Sequence, residues 1–210
     1  MQQVKHRVSI IIPVYNEEKT IIEILGLVNK QKIDGVEFEI IVVDDGSIDN
    51  TLKILHEHKE YYAKIIELKP NGGKGNAIKA GLKAATGNYV LFQDADLEYD
   101  PSDYSKLLLP IKKFNADLVM GSRLIAPPLV RVHYFWNKIG NRCITSIFNF
   151  LNNTTFTDIY TGYVLFRREL IDPEKLNTLG WEQQAEILSK IIKKSEIQDR
   201  KSTRLNSSHT

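Results

Sequence analysis

Asp94 and Asp96 follow directly on the apolar run Tyr89-Val90-Leu91-Phe92, within Gln93-Asp94-Ala95-Asp96-Leu97-Glu98. A β-rich run leading into Asp-x-Asp reads as a buried strand whose carboxyl end presents two acids, and positions i and i+2 of a strand share a face. At a rise of roughly 3.3 Å per residue the two Cα atoms lie about 7 Å apart, so both carboxylates can reach one hard cation. Mg2+ and Mn2+ held in this way commonly combine one or two carboxylates with substrate phosphates, so the cation implies a phosphate. A solvated turn carries the same pair of acids, and the surrounding elements decide between the two.

Two further apolar runs end in the same manner. Val8 to Val14 is closed by Pro13 and followed by Tyr15-Asn16-Glu17-Glu18, and Glu37 to Val43 ends in Asp44-Asp45-Gly46-Ser47. Helix-like segments lie between these strand signals. Such alternation predicts a parallel or mostly parallel sheet, whose ligands bind in the crevice outside the carboxyl ends of the strands. Asp44, Asp45, Asp94 and Asp96 are then expected to line one crevice, where cations and a diphosphate would balance the charge.

Six motifs occur here in the order found in family 2 glycosyltransferases: Ile-Ile-Pro-Val-Tyr-Asn-Glu, Val-Val-Asp-Asp-Gly-Ser-Ile-Asp-Asn-Thr, Asn-Gly-Gly-Lys-Gly-Asn-Ala, Asp-Ala-Asp-Leu, Gly121-Ser122-Arg123 and Thr157-Asp158-Ile159-Tyr160-Thr161-Gly162-Tyr163. The chain resembles that family from about Val8 to Lys194. It is similar to the branch of dolichyl- or polyprenyl-phosphate hexose synthases, which transfer mannose or glucose from a nucleotide diphosphate sugar to a lipid phosphate. The resemblance implies a GT-A fold, a Rossmann-like single α/β domain with a mostly parallel central sheet flanked by helices. It also implies an inverting hexosyltransferase that uses Mg2+ or Mn2+ with GDP-mannose or UDP-glucose.

Carried onto this chain, the resemblance assigns Pro13, Tyr15 and Glu17 to the base and ribose, with Val43 and Asp45 doing the same from the next strand end. Asp94 and Asp96 would hold the metal, the Ala95 backbone would lie near the nucleotide, and Glu98 could serve as a third ligand where related chains often have Gln. Backbone N–H groups at Gly73-Lys74-Gly75, with the Lys74 ammonium, suit an anion at a helix start; a turn with close helix packing explains the same glycines. Arg123 would bind diphosphate oxygens bidentately, with Arg131 behind Pro127-Pro128 a second candidate. Negative charge on the departing nucleoside diphosphate would be stabilised by the metal with Arg123. Asp158 and Glu186 are the acids expected to face the acceptor, against helix capping or orientation of neighbours. Asp96, Arg123, Asp158 and Glu186 thus form the expected catalytic set.

Two departures bear on the acceptor. Val164 stands where related chains often carry Lys or Arg, and Gln184-Ala185-Glu186, with Glu182 nearby, stands where they tend to have two acids spaced by one residue. Transfer to a saccharide hydroxyl and a non-catalytic nucleotide-sugar-binding module are therefore kept as alternatives. A hydroxyl acceptor would need a general base, whereas a lipid phosphate is already anionic near neutral pH.

Composition fits one α/β domain: 210 residues, 42% apolar and 26% charged. A formal charge of +2 provides no basic field for nucleic acid, and a single cysteine, Cys143, excludes an internal disulfide. No stretch approaches the roughly 18 apolar residues of a membrane span, and the amino terminus lacks a long apolar leader. The expected location is cytoplasmic, peripheral on the cytosolic face of a membrane, with an oligomeric or membrane-anchoring partner kept open. From Val130 to Leu151, aromatic and aliphatic residues alternate with Arg131, His133, Lys138 and Arg142, a pattern that suits packing on the sheet or a membrane interface. The domain is expected over 1–198. Residues 199–210 resemble the in-frame translation of a sequencing adapter and are expected to be a disordered tail, the natural protein having been cut near Gln198.

Local signals predict a helix over Glu17 to Gln31, one from Leu52 to about Lys59 behind Asp49-Asn50-Thr51, and a strand over Ala63 to Leu68. A helix opened by Gly73-Lys74-Gly75 and ended by Gly87, a strand over Asp117 to Met120 and a helix from Lys138 complete the pattern.

Overall fold

The computed structural model describes residues 6–121 and 135–194, with the main chain alone for 135–138. Arg123, Arg131, Pro127-Pro128, Tyr134, the side chains of Phe135, Trp136 and Lys138, and the 199–210 tail lie outside the described residues.

Six strands form one sheet in the order β3-β2-β1-β4-β6-β5. They are β1 (His6–Val14), β2 (Val36–Asp44), β3 (Lys64–Glu67), β4 (Tyr89–Phe92), β5 (Leu118–Met120) and β6 (Val164–Arg167). The pairs β1–β2, β1–β4 and β2–β3 are parallel, while β6 runs antiparallel to both β4 and β5. Among the described residues six α-helices accompany them: α1 (Ile21–Asn29), α2 (Thr51–Glu57), α3 (Lys74–Ala84), α4 (Tyr104–Phe114), α5 (Phe135–Asn152) and α6 (Gln183–Lys194).

The apolar runs are continuous because both faces of the sheet are covered. Strand alternation divides them. Val8, Ile10 and Ile12 join Ile40, Val42 and Leu91 in a core with the apolar stripes of α1 and α4. Ile11, Ile41, Val43, Val90 and Phe92 face the opposite core, with α3 and α6. Helix α3 approaches closely because Gly81 has no side chain; a Cβ there would lie 2.4 Å from Ile11 Cγ2.

Several boundaries differ from expectation. Helix α1 begins only at Ile21, because Glu17 to Thr20 form a turn whose first amide donates to Thr51 Oγ1 at 2.8 Å. Helix α3 ends at Ala84 and not at Gly87, whose role is close approach: a Cβ there would lie 2.7 Å from the Arg7 carbonyl oxygen. Helix α4 and strand β6 have no counterpart among the sequence expectations. Val164 is fully buried in β6, so its side chain belongs to the core and not to an acceptor site.

Candidate active site

The chain leaves β1 for β2 and β3 on one side, then crosses to β4 on the other. The carboxyl ends of β1 and β4 thus flank the point where strand order reverses, the place where open α/β sheets form a crevice. A cleft of about 460 Å3 lies there. Pro13, Tyr15, Glu17, Asp45, Lys74, Asp94, Ala95, Asp96 and Glu98 all line it. Val43 does not; its side chain is fully buried in the core beneath.

Each wall is built by local hydrogen bonding. The loop after β1 is laced to the loop after β2, with the Asn16 amide donating to Ser47 Oγ at 3.0 Å. Asp45 is 2% exposed, and its two carboxylate oxygens accept from the Gly72 and Gly73 amides at 3.0 and 2.7 Å. It therefore positions the glycine-rich loop in addition to lining the cleft. Asp44 is fully buried and accepts from the Ser47 amide at 3.2 Å, a turn-forming role. Gly73 has φ +87, a backbone state that favours glycine, and turns the chain into α3 so that Lys74 starts the helix. Lys74 Nζ meets Asp94 Oδ1 at 2.5 Å.

The acid-bearing loop is held from beneath by Gln93, which is fully buried. Its Nε2 donates to the Asp94 and Tyr99 carbonyls at 3.0 and 3.1 Å, and its Oε1 accepts from Tyr104 at 2.7 Å. Strand β4 ends at Phe92, and the chain then turns through Leu97 at φ +62, where Asp96 Oδ1 accepts from the Glu98 amide at 3.0 Å. The strand alternation expected to align Asp94, Asp96 and Glu98 stops before it reaches them. Among the described residues no group of three or more acids, histidines or cysteines is gathered around a common metal position, although Glu98 lines the cleft with Asp94 and Asp96. Asp94 and Asp96 both line the cleft, and two carboxylates suit a hard cation that completes its shell with water and phosphate.

Asp158 and Glu186, expected to face the acceptor, line no part of this cleft. Asp158 is 3% exposed, and its Oδ1 accepts from Asn141 Nδ2 at 2.8 Å and the Tyr160 amide at 2.9 Å. Glu186 accepts from the Asn177 and Thr178 amides, from Thr178 Oγ1 at 2.6 Å and from Lys190 at 2.5 Å. Burial acts to raise the Glu186 pKa, but these hydrogen bonds outweigh it and hold the group at about 2. Glu186 thus fastens the loop before α6, and Asp158 Oδ1 ties its own loop to α5. Gln184 takes the expected place instead: it lines the cleft and donates to the Thr161 carbonyl at 2.6 Å.

Asn71, Tyr99 and Trp181 complete the wall without having been singled out by sequence. Tyr99 closes the acid loop onto the Thr161-Gly162 segment. Trp181 stands 75% exposed, with its ring 5.5 Å from Lys74 Nζ. An aromatic next to Gly180 in a polar loop was the available signal. Which side of a sheet end that loop would reach depends on the antiparallel β6 and on α6.

A family model for glycosyl transferase family 2 matches residues 9–173. The chain belongs to that family. It is 30% identical over 187 residues to a dolichol-phosphate mannosyltransferase from Pyrococcus furiosus, a match covering 88% of this chain and 53% of the relative. The poly(ribitol-phosphate) beta-N-acetylglucosaminyltransferase TarS of Staphylococcus aureus is 43% identical over 90 residues, 42% of this chain and 16% of the relative. The chain spans about half the length, or less, of these curated relatives. Among solved structures it is similar to glucosyl-3-phosphoglycerate synthase from Mycobacterium tuberculosis, in complex with Mn2+, UDP and glucosyl-3-phosphoglycerate. There the TM-score is 0.66 at 21% identity, covering 88% of this chain and 64% of that one. Residues 1–349 of S. aureus TarS give a TM-score of 0.61 at 24% identity, covering 90% and 56%. These likenesses establish the GT-A fold.

Proposed function

We propose that this glycosyltransferase moves a hexose from a nucleotide diphosphate sugar to a polyprenyl or dolichyl phosphate, with inversion and with Mg2+ or Mn2+ as cofactor. The observation that carries the reading is the convergence of Asp94, Asp96 and Lys74 on one cleft at the reversal point of the sheet. Carboxylates and an ammonium in that crevice suit a metal-bridged diphosphate. When bound, the cation would neutralise charge developing on the departing diphosphate.

The protein's own groups do the rest. Pro13, Tyr15, Glu17 and Asp45 form the end of the cleft that would take the nucleoside, with Tyr15 45% exposed and available for contact. Lys74 supplies an ammonium to the leaving diphosphate, where charge stabilisation in a partly enclosed site is effective. Arg123 is proposed as a second cation on the same diphosphate. An acceptor that already bears a negative oxygen asks least of the site, and neither of the two acids expected to face the acceptor lines the cleft. The mannosyltransferase from P. furiosus supports a lipid phosphate as that acceptor. Attachment to the cytosolic membrane face belongs to the same proposal; among the described residues no helix is long and apolar enough to cross a membrane.

A saccharide hydroxyl is the second reading, favoured by the local identity to TarS. Incubation with radiolabelled GDP-mannose or UDP-glucose and Mn2+, with polyprenyl phosphate or an oligosaccharide as acceptor, separates them. Label is expected in the organic phase with polyprenyl phosphate, and Asp96→Ala should abolish it. Label in the oligosaccharide alone would favour the second reading. Absence of product with both, from folded protein that also binds neither diphosphate, would withdraw the catalytic reading.

A further inference from the structure

Five carboxylates line the cleft, those of Glu17, Asp45, Asp94, Asp96 and Glu98, against one cationic side chain among the described residues, Lys74. That cation is already engaged. Its Nζ lies 2.5 Å from Asp94 Oδ1, with the two side chains 34% and 17% exposed. Asp94 is one of the two acids that suit a divalent ion, so the ammonium sits where such an ion would compete for the same carboxylate. The main chain of Lys74 is fixed: it opens α3, behind a loop pinned by the two Asp45 hydrogen bonds. Its side chain is a flexible four-carbon stem with a point charge at the end. The Trp181 ring, 5.5 Å from Nζ, provides a second favourable surface for that charge within reach.

Resting on the donor-site reading above, we propose that Lys74 is a tethered cation exchanged between Asp94 and the donor diphosphate. With the cleft empty, Lys74 neutralises Asp94. A divalent ion on Asp94 releases the ammonium into the cleft, where it pairs with the incoming diphosphate. Metal and nucleotide then promote each other's binding, since whichever arrives first removes part of the cost of moving Lys74. Such coupling is reciprocal by thermodynamic necessity.

The exchange makes a prediction opposite in sign to that for an ordinary positive residue in a phosphate site. Free Mn2+ is titrated by electron paramagnetic resonance against wild type, Lys74→Met and Lys74→Arg, alone and with saturating UDP or GDP. Lys74→Met is expected to bind Mn2+ alone more tightly, by about fivefold or more, the scale of a modest coupling between sites. It should also lose most of the mutual enhancement between Mn2+ and the diphosphate. Lys74→Arg, which keeps the competing charge, should stay within about twofold of wild type for Mn2+ alone. In a Trp136→Phe background, which leaves Trp181 as the only tryptophan, diamagnetic Mg2+ should change the fluorescence, and Lys74→Met should suppress that change.

Unchanged or weaker Mn2+ binding by a folded Lys74→Met protein overturns the exchange while leaving the donor site standing. Failure of wild type to bind Mn2+ even with both diphosphates overturns the exchange and the donor-site reading together.

Discussion

The Gly162 amide donates to the phenolic oxygen of Tyr99 at 2.7 Å, and a Cβ built on Gly162 would lie 2.3 Å from the same ring. The segment carrying Asp94 and Asp96 is thereby closed onto the segment that leads into β6. The Tyr99 ring also packs at a tilt against Tyr163, with centroids 4.8 Å apart, and so cannot retreat freely. Gly162→Ala is expected to destabilise the protein by about 1–3 kcal/mol, the usual scale for overpacking. Tyr99→Ala removes the obstructing ring, so the two changes together should cost less than their sum, as contacting residues commonly do. Urea unfolding of the two single variants and the double variant measures this; strict additivity would mean that the ring and the glycine are not in contact.

Acid stability should depend on two carboxylates, one buried and one partly buried. Glu186 and Glu39 each titrate at about 2, below the ordinary 4.5. For Glu39, burial pushes upward, but hydrogen bonds from Ser9, Thr86 and Lys64 prevail. A carboxylate whose folded pKa is depressed contributes stability that is full above its unfolded value and is lost as pH falls towards the folded one. The window is therefore pH 4.5 down to about 2. A shift of this size is on the order of 3 kcal/mol for each group. Glu186→Gln and Glu39→Gln should each lower stability at pH 7 and flatten the stability-versus-pH curve inside that window. A curve of unchanged slope in either variant would show that its carboxylate is not held in this way.

Asp158 should behave as a fastening residue. Asp158→Asn keeps an oxygen acceptor for Asn141 and for the Tyr160 amide while removing the charge. A general base would lose its proton-accepting role, and the acid limb of the kcat–pH profile would vanish with most of the rate. Here the profile is expected to keep its shape, with kcat reduced less than about tenfold and stability lower by about 1 kcal/mol. Loss of the acid limb would return Asp158 to the reacting centre.

The sequence carried the strand-end wall of the cleft well because that wall is local. Apolar runs ending in Pro13, Asp44-Asp45 and Gln93-Asp94 announce strands and the residues just beyond them, and parallel order brings those ends together. Asp158 and Glu186 had the right chemistry but line no part of the cleft: Glu186 takes up amides 8 to 9 residues away, and Asp158 Oδ1 accepts from Asn141 on a neighbouring helix. Strand alternation was extended past Phe92, whereas Leu97 at φ +62 turns the chain; Glu98 reaches the cleft by that turn and not by alternation. Helix α4 escaped notice with Pro110 in its interior, although Tyr104, Leu107, Leu108 and Ile111 keep helical spacing. Gly75 read either as part of an anion cradle or as a close-packing glycine. In the structure a Cβ there would lie 2.4 Å from the Leu179 carbonyl oxygen, so the glycine admits the loop that carries Trp181.

Trp181 is therefore the residue through which that loop should act on catalysis. Its ring is largely exposed, so little of the fold depends on it, yet it lines the cleft beside Lys74. Trp181→Ala should lower kcat/KM for the sugar nucleotide by about two- to tenfold, the range for loss of one aromatic contact of roughly 0.5–1.5 kcal/mol. Its melting temperature should stay near that of wild type. Gly75→Ala approaches the same site from behind: the added methyl must push Leu179 away, so catalytic efficiency and stability should fall together. Trp181→Phe, which keeps an aromatic face, should recover most of the activity. Steady-state kinetics beside thermal unfolding of the three variants distinguishes a cleft residue from a surface one, because wild-type kinetics in Trp181→Ala would leave the ring with no part in binding.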